Sequence, residues 1–187
     1  MKKFAIAGFA AGLVAVAALL VAQEAPKAPK MPEPQKEHAW LQQLVGQWQA
    51  DVEAFMEPGK PAEKSQGTES VRALGGFWVV ADFKGTAMGQ PFAGVFTLGY
   101  DPAKAKYIGS WVDSMGSHLW TFEGAVDAAG KTLTLEAVGP CPMKPGEMVK
   151  FKEVMEIKSK DHRIFTSSMQ GEDGKWTTGM IINYRRQ

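Results

Sequence analysis

Residues 94–137 read GVFTLGYDPAKAKYIGSWVDSMGSHLWTFEGAVDAAGKTLTLEA, and the spacing inside this stretch decides the fold. Four β-rich runs are separated by three short breakers: Asp101 to Lys106, Ser114 to Ser117, and Asp127 to Gly130. Links this short suit antiparallel hairpins, because parallel strands need crossovers of a dozen residues or more. If Tyr100 pairs with Tyr107, then Leu98 faces Gly109, Phe96 faces Trp111 and Gly94 faces Asp113. A four-residue loop at Ser114 to Ser117 would set Asp113 against His118, Trp111 against Trp120 and Gly109 against Phe122. The Asp127 to Gly130 turn would set Gly124 against Leu133, Phe122 against Leu135 and Trp120 against Ala137. Side chains alternate along a strand, so all these positions share one face.

That face carries two rows. Phe96, Trp111 and Trp120 form an aromatic band, and Gly94, Asp113 and His118 lie one step nearer a sheet end. The opposite face is polar and mixed, with Ser110, Thr121, Glu123, Thr132, Thr134 and Glu136. The aromatic face is therefore expected inside. Outward from this core, further strands are expected near 47–55, 67–74, 77–84, 148–158, 162–170 and 176–185, making ten in all. In the 148–158 strand, Val149, Phe151, Met155 and Ile157 share a face with a single charge, Glu153. Ten short strands joined by tight turns predict an all-β, antiparallel up-and-down barrel, which removes exposed edges by closing. Before the first strand, Trp40, Leu41, Leu44 and Val45 recur at helical spacing, and Gly46 stops that short helix.

The chain has 187 residues, of which 45% are hydrophobic and 22% charged, a composition that supports one globular domain. One cysteine excludes a disulfide framework, and a net charge of +1 gives no general attraction to nucleic acid. Lys2 and Lys3 precede an uncharged run from Phe4 to Ala22. This reads as a signal peptide over 1–22, with an uncleaved membrane anchor as the alternative. Export places the mature chain in the periplasm or outside the cell. Residues 23–37 carry Pro26, Pro29, Pro32 and Pro34 and read as an extended linker. The barrel domain then spans 38–187.

Gly46-Gln47-Trp48, entering the first strand from a helix, resembles the Gly-x-Trp signature of lipocalins and their calycin relatives. The resemblance implies that Trp48 closes the barrel base and that an arginine from the end of the last strand packs on it. Arg185 and Arg186 end that strand, and Arg185 is taken as the partner. An indole face attracts a guanidinium, which stacks where an ammonium does not. A longer set resembles the bacterial family catalogued as domain of unknown function 1579. It comprises Leu74-Gly75-Gly76-Phe77-Trp78-Val79-Val80, Leu98-Gly99-Tyr100-Asp101, Ser114 to Trp120, Glu123-Gly124, Asp161-His162-Arg163 and Gly171 to Trp176. It spans about residues 36–186 and implies a calycin-like barrel without any established activity.

Three functional readings follow. In the first, the barrel binds a small hydrophobic or amphipathic molecule. Phe96, Trp111, Trp120, Phe122, Phe151 and Met155 would form its walls, and Asp113, His118 and Glu153 would orient the ligand's polar end. In the second, the Asp113–His118 pair acts as an acid–base couple, since a carboxylate beside an imidazole fixes its tautomer and favours its charged form. The same pair also reads as a mutually satisfied structural contact. In the third, the barrel is filled and serves as an interaction domain. Glu153 reads as a pocket anchor, a general base or a partner of Arg72, or else its strand face is partly wet. The three histidines are too dispersed for a metal site. No cofactor is expected; haem held non-covalently by His118 or His162 is the alternative. His38 is expected in solvent, and Cys141 is expected as an exposed or half-exposed thiol in Gly139-Pro140-Cys141-Pro142.

Overall fold

The computed structural model describes residues 30–56 and 59–187, so the expected signal at 1–22 and the linker as far as residue 29 lie outside the described residues. A short helix, α1 (Lys36–Leu41), runs into a 3-10 turn at Gln42–Leu44. Ten strands follow in chain order: β1 (Gly46–Ala54), β2 (Glu63–Leu74), β3 (Trp78–Ala87), β4 (Gln90–Asp101) and β5 (Lys106–Asp113), then β6 (Trp120–Val126), β7 (Thr132–Pro140), β8 (Met148–Ser159), β9 (His162–Gln170) and β10 (Trp176–Arg186). Each pairs antiparallel with its chain neighbours, and β10 closes on β1 from Trp48 opposite Arg186 to Ala54 opposite Met180. The expected up-and-down barrel is therefore present, with no sheet edge left open.

The expected register holds across β4 and β5, where Phe96 opposes Trp111 and Gly94 opposes Asp113. It also holds where β5 meets β6, with Gly109 opposite Phe122 and Trp111 opposite Trp120. Two expectations are corrected. The β5–β6 ladder ends at Trp111 and Trp120, so Asp113 and His118 do not face each other. Beyond Trp111 the chain follows β4 instead: Ser114 N–H donates to the Ala93 carbonyl at 2.9 Å, and Ala93 N–H donates to Ser114 Oγ at 3.1 Å. The β6–β7 register is displaced by two residues, with Gly124 opposite Leu135. Asp127 is the cause. Its N–H donates to the Thr132 carbonyl at 2.8 Å, and its Oδ1 accepts from Lys131 N–H at 2.8 Å, so the loop begins one residue later. A two-residue slip returns every side chain to the same face, so the inward set is unchanged.

Six residues of helix are marginal in water by themselves, and α1 is held by the turns at one barrel end. His38, expected in solvent, is 2% exposed. Its Nδ1 accepts from Gln35 N–H at 2.9 Å, which leaves Nε2 to donate to the Tyr100 carbonyl at 3.2 Å. Trp40 Nε1 donates to the Gly130 carbonyl at 2.8 Å, and Tyr107 O–H donates to the Glu37 carbonyl at 3.1 Å. The Phe77 ring meets the His38 imidazole edge-on at 5.2 Å.

Below the helix, Trp48 is buried and donates from Nε1 to the Leu44 carbonyl at 2.9 Å. Two guanidinium groups approach its ring, Arg186 at 4.2 Å and Arg163 at 4.6 Å. Arg185, expected there, is corrected. It lies outside and pairs with Asp51 at 2.6 Å. Arg186 is the residue directly across from Trp48, and adjacent strand residues point to opposite faces. Arg186 also donates from Nη1 to the Val45 carbonyl at 2.6 Å and from Nη2 to that of Gln43 at 3.0 Å. Gly46, with φ at +143°, permits this approach, since a Cβ there would collide with the Arg186 guanidinium. Arg163 forms a buried ion pair with Glu69 and lies 4.1 Å from the Tyr184 ring.

Removing one member of a buried pair strands the other charge, at about 3–5 kcal/mol. Arg163→Met is expected to lose that much stability in urea unfolding. Arg163→Met combined with Glu69→Leu is expected to recover most of it, because no unpaired charge remains.

Candidate functional site

The inward faces of the strands do not fill the barrel. They enclose a cavity of about 410 Å³ that Leu44, Arg163 and Tyr184 floor near the helix end, while Ala54, Glu63, Ala87 and Asp113 stand at the opposite end. All six residues expected as apolar walls line it: Phe96, Trp111, Trp120, Phe122, Phe151 and Met155. Phe83, Phe92, Phe165, Met180 and Ile182 extend the same lining. The rings brace one another, with Phe96 edge-on to Phe122 at 5.8 Å and Trp120 edge-on to Phe151 at 4.8 Å. Two glycines make room for the indoles. A Cβ on Gly94 would overlap the Trp111 ring, and one on Gly139 would overlap the Trp120 ring.

Of the three polar residues singled out from the sequence, two line the cavity and one does not. Asp113 is at the open end. Its Oδ2 accepts from Trp111 Nε1 at 2.9 Å and its Oδ1 from Met115 N–H at 2.8 Å, so it locks the indole in place. His118 is outside the lining and packs edge-on against Trp120 at 5.0 Å. No hydrogen bond or ion pair joins Asp113 to His118, and the acid–base couple is not assembled.

Glu153 is the unusual group. It stands midway along β8 between Leu135 of β7 and Ser167 of β9, and it is 8% exposed. Its Oε1 accepts from Ser167 Oγ at 3.0 Å, while Oε2 has no hydrogen-bond partner. Burial pushes its pKa from 4.5 up to about 7, against the opposing effect of the Ser167 hydrogen bond. Arg72 is exposed on the barrel exterior and is not its partner.

The sequence reading missed Glu69, Arg163 and Ser167. Arg163, Phe165 and Ser167 alternate along β9, so their shared inward face was available from spacing alone. The histidines considered as haem ligands, His118 and His162, both lie outside the cavity lining. Cys141 is corrected to a buried thiol, its N–H tied to the Glu147 carbonyl at 2.9 Å. Among the described residues no group of three or more His, Cys, Asp or Glu side chains converges on a metal position.

Glu153 makes stability depend on pH with a defined sign. Its pKa is raised on folding, so its contribution is complete below pH 4.5 and is lost as pH rises through about 7. Stability relative to Glu153→Gln is expected to fall across that window by on the order of 3 kcal/mol. Urea unfolding of both proteins at a series of pH values measures it.

The fold has distant counterparts among solved structures. The crystal structure of Rv2717c from M. tuberculosis superposes with a TM-score of 0.58 at 13% identity, covering 83% of this chain and 99% of that one. The S-type phycobiliprotein lyase CPES from Guillardia theta superposes with a TM-score of 0.53 at 13% identity, covering 82% of this chain and 98% of that one. At such identity the likeness is one of fold. No curated protein matches the sequence. The family described as protein of unknown function (DUF1579) matches residues 33–186, and with its barrel and helix accounted for over that same span, the chain belongs to this family.

Proposed function

We propose that this protein binds a small hydrophobic or amphipathic molecule inside its barrel, and that it does so after export from the cytoplasm. The observation that carries the binding reading is the cavity: about 410 Å³, walled by aromatic and aliphatic side chains, with few polar groups among them. Ligand pockets have this volume and this ratio of apolar surface to placed polar groups. The walls are built to stay open. Gly94 and Gly139 accept the two indoles, and Asp113 fixes one of them, so the lumen does not depend on a bound molecule to hold its shape. Export rests on Lys2, Lys3 and the uncharged run from Phe4 to Ala22. The couple that an acid–base enzyme would have used, Asp113 with His118, has no geometry to support it.

A neutral fluorescent probe, N-phenyl-1-naphthylamine, tests the binding reading. It is expected to brighten on titration with the protein and to quench tryptophan emission, since Trp111 and Trp120 line the cavity. Ala54 lines the cavity at its open end and is partly exposed, so it accepts a larger side chain without disturbing the buried core. Ala54→Trp is expected to obstruct entry and weaken binding about tenfold, a loss of about 1.4 kcal/mol. A protein that leaves the probe dark, or an Ala54→Trp variant that binds it as well, would overturn the reading.

A further inference from the structure

The charge around the cavity is one-sided. Among the described residues its lining holds four carboxylates, Glu63, Glu69, Asp113 and Glu153, and a single cation, Arg163. That cation is already engaged. Its Nη2 donates to Glu69, its Nη1 lies 3.6 Å from Met155 Sδ, and its guanidinium rests near the Trp48 and Tyr184 rings. Only its Nε lacks a partner. Asp113 is likewise occupied, by Trp111 and Met115. Glu63 is exposed, whereas Glu153 offers a free acceptor from within the wall, the unpartnered Oε2 of a buried side chain.

A fatty-acid carboxylate entering this lumen would add a negative charge to a low-dielectric wall where anions already outnumber cations. An ammonium would do the reverse. It would donate to Glu153 Oε2, neutralise that carboxylate, and leave its hydrocarbon against the indoles. We propose that the ligand class is an amphiphile with a cationic, N–H-donating head, an alkyl- or arylammonium, whose head engages Glu153 while its apolar body fills the aromatic lumen. This inference rests on the binding function proposed above and adds the chemistry of the head group.

The reading carries a pH dependence. The groups flanking Glu153 are Leu135 from β7, Ser167 from β9, and Phe151 and Met155 on β8 itself, none of them a second charge. The charged groups elsewhere on the cavity wall are Glu63, Glu69, Asp113 and Arg163. With Glu153 titrating near 7, it is ionised at pH 8 and largely protonated at pH 6, while alkylammonium ions keep their charge throughout. Ammonium binding is therefore expected to weaken about tenfold from pH 8 to pH 6.

The test displaces N-phenyl-1-naphthylamine from the full chain with dodecylammonium, dodecanol and dodecanoate, each below its micelle concentration. At pH 8 dodecylammonium is expected to compete at least about tenfold better than dodecanoate, with dodecanol between them. In Glu153→Gln the ratio of ammonium to alcohol affinity is expected to fall to about one. Dodecanoate competing as well as dodecylammonium would overturn the head-group assignment and leave the binding function standing. So would a Glu153→Gln variant that keeps the ammonium preference. A chain that never binds the naphthylamine probe would remove the binding function and this inference together.

Discussion

The Trp48 indole sits where the first strand meets the last, and closure of the sheet depends on what surrounds it. Arg186, directly across on β10, lays its guanidinium over the ring and reaches the carbonyls of Gln43 and Val45. One side chain thereby ties the end of the chain to the turn that precedes the first strand. Arg163 approaches the same ring from β9 and joins Glu69 on β2. Four strands, β1, β2, β9 and β10, converge on this one assembly. An open ten-stranded sheet would present two unpaired edges, and the stacked cations make the closed form specific as well as possible.

Above that base the lumen is kept open by a division of labour between backbone and side chain. The two lining indoles lie where a glycine on a neighbouring strand withholds its side chain, as Gly94 does for Trp111 and Gly139 for Trp120. The rings then touch edge to face, which favours fixed angles over collapse into the void. The polar groups are sparse and nearly all satisfied. Arg163 Nε and Glu153 Oε2 are the buried exceptions in the wall, and the elevated pKa of Glu153 and its unpartnered oxygen have the same origin: a carboxylate placed in an apolar wall with only one hydroxyl beside it.

Much of this was legible in the sequence, for reasons that also explain what was not. Period-two alternation and short turns identify the strands from 94 to 137. The inward face survives the β6–β7 register error because the slip was by two residues. The expectation about His118 failed because a four-residue and a longer link between β5 and β6 look alike until Ser114 is known to bond back to β4. Choosing between Arg185 and Arg186 required the parity of the strand at its last residue, where spacing offers least guidance. Glu69 and Arg163 are 94 residues apart, and nothing local to either announces the other. His38 was misread for a similar reason: its burial depends on the Tyr100 carbonyl, which only the folded barrel brings to it.

The helix and its 3-10 turn occupy one mouth of the barrel, so the vessel is blind-ended. If a molecule binds inside as proposed, it would leave through the doorway it used on arrival rather than be threaded from one side to the other. Transit would then be a cul-de-sac problem, with residence time governed by the loops around the open end rather than by the stoppered floor. Among them are the Met88–Gly89 turn and the Ser114–Leu119 link, whose Met88, Met115 and Leu119 side chains face water. Any hand-over of such a molecule would take place across that threshold.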